Sequence, residues 1–232
     1  MRKLVITLVV LVVILLGLDR LAAYIASSVA AAALQTQYNL TSRPDVSAHG
    51  WPFLTQVIGG KYDDVEMRSD DLHTTGLPRV SADIHARGVH AGLGALIHRN
   101  ITGVPVDRVD GTVTVPYAAI VAASRLPGLT LHRSGGGVAM RASPSVAGQT
   151  VRVGAVAHIG FGAGKLTLRA EQVSGLGATV PSQLAGQLAG QLSLTVPVGS
   201  LPLGISIDAA RATAAGVQFS AHANDVTFDS AG

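Results

Sequence analysis

From about residue 56 onward, apolar and polar side chains alternate with a period of two, which restricts the body of the chain to β-strands. Val80, Ala82, Ile84 and Ala86 alternate with Ser81, Asp83, His85 and Arg87. Val113 and Val115 alternate with Thr112 and Thr114, and Val217, Phe219, Ala221 and Ala223 with Gln218, Ser220, His222 and Asn224. Shorter stretches around Val65, Val138, Val151, Leu166 and Ile205 repeat the pattern. Successive strand side chains point to opposite faces, so each segment carries one apolar and one polar face. Antiparallel sheet with one solvated side has this character, whereas a parallel doubly wound fold needs near-continuous apolar strands. Roughly eight or nine strands are expected, separated by turn-forming runs at Gly59-Gly60, Ser134 to Gly137, Gly160 to Gly164 and Ala215-Gly216.

Two short helices interrupt the strands. One is expected from Pro116 through Ile120 to about Ala123, the other from Pro181 through Leu192. Proline suits the first helical position. Leu184, Leu188 and Leu192 recur every four residues and so share a face. A strand-helix-strand order therefore occurs twice, a weak pseudo-repeat. A further loop or helical turn is expected between Gly92 and Gly103.

The N-terminus is different in kind. Arg2 and Lys3 precede an apolar run from Leu4 to Leu18, broken only by Thr7 and Gly17. Such a run is a secretory signal or a retained membrane anchor with the body outside the cytoplasm. Asp19 and Arg20 interrupt it, and an Ala-rich helix is expected over residues 20–38. Residues 1–20 are thus read as the signal or anchor, and 21–232 as a single β-rich domain opening on that helix.

Composition narrows the function. The chain has 17 Lys plus Arg against 14 Asp plus Glu, and only 13% charged residues, against roughly 25% in ordinary soluble domains. Setting aside Arg2, Lys3, Arg20 and Asp19 leaves 14 basic and 13 acidic residues, so the body is nearly neutral. With 4% aromatics and no basic run, it lacks the footprint of a nucleic-acid binder. The absence of Cys excludes thiol catalysis, Cys-ligated zinc and disulfides.

No His-Glu-x-x-His, Gly-x-Ser-x-Gly or phosphate-binding glycine motif is present. Asp83 and His85 share a strand face, an arrangement that orients an imidazole or holds a metal but is far more common as plain surface. Asp63-Asp64 and Asp70-Asp71 point to opposite sides of a strand and make no carboxylate dyad. No catalytic residue, metal or cofactor is assigned, and the chain is read as a non-enzyme.

The inward positions are mostly Val, Ala, Leu and Ile. Two outcomes fit them: a fully packed core, or an apolar groove filled by an acyl chain, where each buried methylene contributes about 0.8 kcal/mol. Periodicity by itself favours the packed core.

The most distinctive segment is Gly50-Trp51-Pro52-Phe53-Leu54-Thr55-Gln56, with the one Trp of the chain. Trp51 and Phe53 either close an end of the core or touch a membrane interface, where Trp is favoured. Together with Gly60, Gly111 to Tyr117, Val180-Pro181, Leu201 to Gly204 and the strand after Gly216, it resembles the LmeA-like family of actinobacterial envelope phospholipid-binding proteins. The resemblance runs from about residue 20 to 228.

It implies an extracytoplasmic α+β, β-rich fold similar to the tubular lipid-binding proteins, with a long curved antiparallel sheet wrapped over helices. It also implies a phospholipid or envelope glycolipid as partner, at the membrane, and shifts the balance toward a groove. The expected lining is Phe53, Val113, Val115, Leu184, Leu188 and Phe219. Arg87, Arg141 and Arg152 are candidates for a headgroup phosphate, but none is singled out. The alternatives are an envelope adaptor with a solid core and a glycolipid-modifying enzyme, the latter requiring a third acidic residue beside Asp83 and His85 in a cleft.

Overall fold

The computed structural model describes residues 2–37, 40–74, 77–98, 103–124, 126–143, 145–146, 149–150, 152–162, 165–175, 182–197 and 206–228. A single helix, α1 (Arg2–Gln37), takes in both the apolar run and the Ala-rich segment. At 36 residues it is about 54 Å long, and it is apolar enough to cross a membrane. Residues 2–18 are exposed throughout, and burial begins at Asp19.

The chain then forms β1 (Asp45–His49), α2 (Phe53–Gly59), β2 (Tyr62–Thr74), β3 (Leu77–Val89), α3 (Leu93–Ile97) and β4 (Val104–Pro116). Next come α4 (Tyr117–Ser124), β5 (Thr130–Ser134), β6 (Gly137–Ala142), β7 (Ser145–Val146), β8 (Gln149–Thr150), β9 (Val153–Gly162) and β10 (Lys165–Gly175). The last elements are α5 (Ser182–Leu192), β11 (Leu194–Pro197), β12 (Ser206–Ala212) and β13 (Gly216–Phe228).

The strands fall into separate open sheets. One has six strands in the order β1-β2-β3-β4-β13-β12, one has five in the order β11-β10-β9-β6-β5, and β7 with β8 makes a two-stranded ribbon. The α+β, β-rich class holds, but the long curved sheet and the tubular architecture do not: among the described residues each large sheet is open, one ending on β1 and β12 and the other on β11 and β5. Pro116 supplies the local reason. It has no N–H for a ladder and leads straight into α4, after which β5, β6 and β9 to β11 build a second sheet before β12 and β13 return to the first.

Packing divides the chain into two compact units. Unit 1 is Met1–Ser69, Asp83–Gly111 and His222–Gly232; unit 2 is Asp70–Ala82 and Thr112–Ala221. The core of unit 2 follows the alternation read from sequence. Val138, Met140 and Ala142 of β6, Val153, Ala155 and Ala157 of β9, and Leu166, Leu168 and Ala170 of β10 are all buried.

The register sets large beside small. Val138 pairs with Ala157, Met140 with Ala155 and Ala142 with Val153, and Ala157 pairs in turn with Ala170. Rows of this kind leave hollows that a helix can fill at close approach. Leu188 and Leu192 of α5 and Ala119 and Ile120 of α4 are buried in this same cluster.

Unit 1 has a smaller core of Phe53, Tyr62, Ala91 and Val104, against which Ala22, Ala23 and Ala26 of α1 pack. On a helix these three residues share a face with Asp19, whereas Leu18, Leu21, Tyr24 and Ile25 lie on the other side and are exposed. One sequence expectation is reversed in unit 1. On β2, the alternation around Val65 puts Glu66 on the polar face, yet it is buried at 6% exposure, because β1 and β3 bring His49 and His85 over it.

Candidate functional site

The Gly50–Gln56 segment folds into a clamp in unit 1. Gly50 has φ +106°, a backbone conformation that favours glycine, and a Cβ there would lie 2.3 Å from Gln56 Nε2, so that carboxamide would have to move. The space lets Gln56 turn inward, where its Oε1 accepts the Asp63 N–H at 2.9 Å. The Trp51–Pro52 bond is cis. Phe53 is 1% exposed, and its ring lies 5.9 Å from that of Tyr62, whose hydroxyl pKa is raised by burial.

No side chain of the segment itself caps α2. The cap comes from α1: Asp19 Oδ1 accepts the Leu54 N–H at 2.8 Å. Asp19 is 3% exposed. Its charge complements the positive end of α2, and loss of the acceptor would orphan a backbone N–H at a cost of about 1–3 kcal/mol.

A second grouping covers one face of β1–β3. His49 Nε2 lies 2.8 Å from Glu66 Oε2, and His85 Nδ1 lies 3.4 Å from Asp64 Oδ1. His85 Nε2 lies 3.7 Å from Glu66 and 3.6 Å from Asp83. Glu66, Asp83 and His85 each bring a ligand atom within 4.8 Å of the others, close enough in geometry alone to surround a cation. Arg68 already occupies that role: it pairs with Glu66 and donates from Nε to Asp83 Oδ2 at 3.2 Å. The Asp83 hydrogen bond and the Glu66 charge raise the pKa of Arg68. The structure does bring a third acid beside Asp83 and His85, but within an ion-pair network that contains its own cation. Of the headgroup candidates, Arg87 is bonded to Asp110 at 3.0 Å, and Arg141 and Arg152 are exposed.

The apolar candidates divide between the units. Phe53 belongs to the core of unit 1. Val115, Leu188 and Phe219 are buried together in the cluster of unit 2, with Val113 partly exposed against it. The side chain of Leu184 lies outside the described residues.

Phe161, which sequence reading left inside a turn, packs at 5.5 Å on the ring of Phe219. β9 runs on through Gly160 and Gly162, because its ladder with β10 satisfies the backbone there regardless of side-chain size. Ile159, Phe161, Ile207, Asp208, Ala209 and Ala210 line an open pocket of about 220 Å³, below the roughly 300–1,000 Å³ of most ligand sites. Ile207 was legible as an inward strand position; Phe161 was hidden by the glycines flanking it.

With both apolar clusters and the clamp located, comparison with known proteins assigns the relationship. A model of LmeA-like phospholipid-binding proteins matches residues 17–222. The chain belongs to the LmeA-like phospholipid-binding family. The match begins two residues before Asp19 and includes the clamp, both cores and the pocket. No curated relative and no solved structure matches the chain. LmeA-like membership assigns lipid binding in general.

Proposed function

We propose that this LmeA-like protein binds a phospholipid, or a glycolipid with comparable acyl chains, in the bacterial cell envelope, outside the cytoplasm and held at the membrane by α1. The observation that carries this reading is the family match over residues 17–222. Residues 1–20 act as the anchor, with Arg2 and Lys3 on the cytoplasmic side, and residues 21–232 act as one lipid-binding domain.

The acyl chain contacts the partly exposed margin of the unit 2 cluster, where Ile159, Phe161, Ile207 and Val113 pack over buried Phe219, Val115 and Leu188. The open pocket at Phe161 accommodates part of a chain, and the rest extends over apolar surface. Leu184 is held as a further contact on the sequence argument alone.

Native mass spectrometry of the purified full-length protein, followed by lipid extraction, tests the reading. A stoichiometric phospholipid, diminished by Phe161→Asp in protein of unchanged circular dichroism, is the expected result. Protein repeatedly free of lipid would remove the basis of the proposal.

A further inference from the structure

Resting on the reading of α1 as an anchor, the geometry points to α2 and Trp51 lying inside the membrane interface on the side away from Met1, drawn there by Asp19. The apolar run Leu4–Leu18 is 15 residues, about 22 Å of helix, whereas the hydrocarbon core is about 30 Å thick. A helix crossing it needs about 20 residues, so hydrocarbon beginning at Leu4 reaches past Asp19 to the neighbourhood of Tyr24.

Leu21, Tyr24 and Ile25 carry apolar surface beyond Asp19, with Tyr24 74% exposed. Arg20, also exposed on this stretch, is long enough to bury its stem and carry its guanidinium to the headgroups. Asp19 faces the other way, and its carboxylate is tied to the Leu54 N–H. A carboxylate at this depth is tolerated when protein groups hold it: Oδ1 accepts from the first turn of α2, and Oδ2, which has no hydrogen bond, lies 4.0 Å from Arg20 Nη1. α2 therefore sits at the level of Asp19 along α1, within the outer part of the bilayer.

Its own surface suits that position. Ile58 is 87% exposed and Trp51 is 62% exposed, and Ile97 of α3, which also packs on α1, is exposed as well. Large apolar side chains at the water surface are a liability, but Trp and aliphatic residues at the headgroup boundary are stabilised. The occupant of this surface is the phospholipid bilayer itself. The lipid-binding domain begins within the membrane, not on a stalk outside it.

Trp51 is the single Trp of the chain, so native fluorescence reads this site directly. The full-length protein is reconstituted into phosphatidylcholine vesicles whose acyl chains are brominated either near the headgroup or near the methyl end. Expected is a blue-shifted Trp51 emission that is lost in the shallow-brominated vesicles and largely retained in the deep-brominated ones. In Asp19→Leu, which strengthens the apolar run but removes the tie to α2, quenching should fall while the protein stays with the vesicles through an alkaline carbonate wash.

Unquenched Trp51 in wild-type protein that survives the wash would overturn the inference and leave the anchor reading intact. Protein removed by the wash would overturn the anchor reading, and this inference with it. A blue shift without bromine quenching would mean that protein, such as a second copy of the chain, covers Trp51, and would also overturn the inference.

Discussion

Single residues in unit 1 have physical roles that explain their place in the motif. Gly50 combines a left-handed backbone with direct contact to the Gln56 carboxamide. Gly50→Ala should destabilise the protein by about 2 kcal/mol, read as a lowered urea midpoint with an unchanged slope. Asp110 offers a pH-dependent counterpart. The Arg108 guanidinium donates to it at 2.7–2.9 Å, and this hydrogen bonding, aided by the Arg108 and Arg87 charges, lowers its pKa. Its contribution to stability is therefore complete above the unfolded carboxylate value of about 3.9 and is lost as pH falls through the depressed folded value. Arg108→Gln should shrink the drop in urea midpoint across that acid window and lower the midpoint above the window by at least the same amount. The Gly50 and Phe53 motif was legible as a motif, but Asp19 was visible only as a break in an apolar run. Its partner, the Leu54 N–H, lies 35 residues away.

At the scale of elements, the helices expected near Pro116 and Pro181 correspond to α4 and α5, and the turn at Gly135-Gly136 joins β5 to β6. Three short strands, β1, β5 and β11, were not expected. Each has four or five residues, too few for alternation to stand out, and each is held by pairing with a neighbour: β1 with β2, β5 with β6, β11 with β10. The small inward residues of β6, β9 and β10 share one buried cluster with Leu188 and Leu192 of α5 and Ile120 of α4, and α5 packs on β10. Leu188 is 1% exposed at that contact. Leu188→Ala should cost about 2–5 kcal/mol, measured by chemical denaturation, because the alanine-bearing strands beneath cannot close the gap. A cost well below that range would show that α5 is loosely seated on β10.

For the whole molecule, α1 divides into a part that touches the body and a part that does not. Residues 2–18 are exposed throughout, so their removal deletes no buried contact. A variant starting at Asp19 should lose its resistance to an alkaline carbonate wash while keeping its co-purifying phospholipid and a circular dichroism that differs only by the deleted helical residues. Loss of lipid with retained fold would place lipid capture at the anchor instead of the body. The amino-acid order alone determined the strand-rich class, the near-neutral body, the apolar N-terminal segment and the family, because each depends on local periodicity, on composition or on short motifs. Tertiary structure alone decided that the strands divide between separate open sheets, that Glu66 is buried under two histidines, and that Asp19 ties α1 to α2. Those outcomes depend on which distant segments pair, and a period of two is the same whichever neighbour a strand finds.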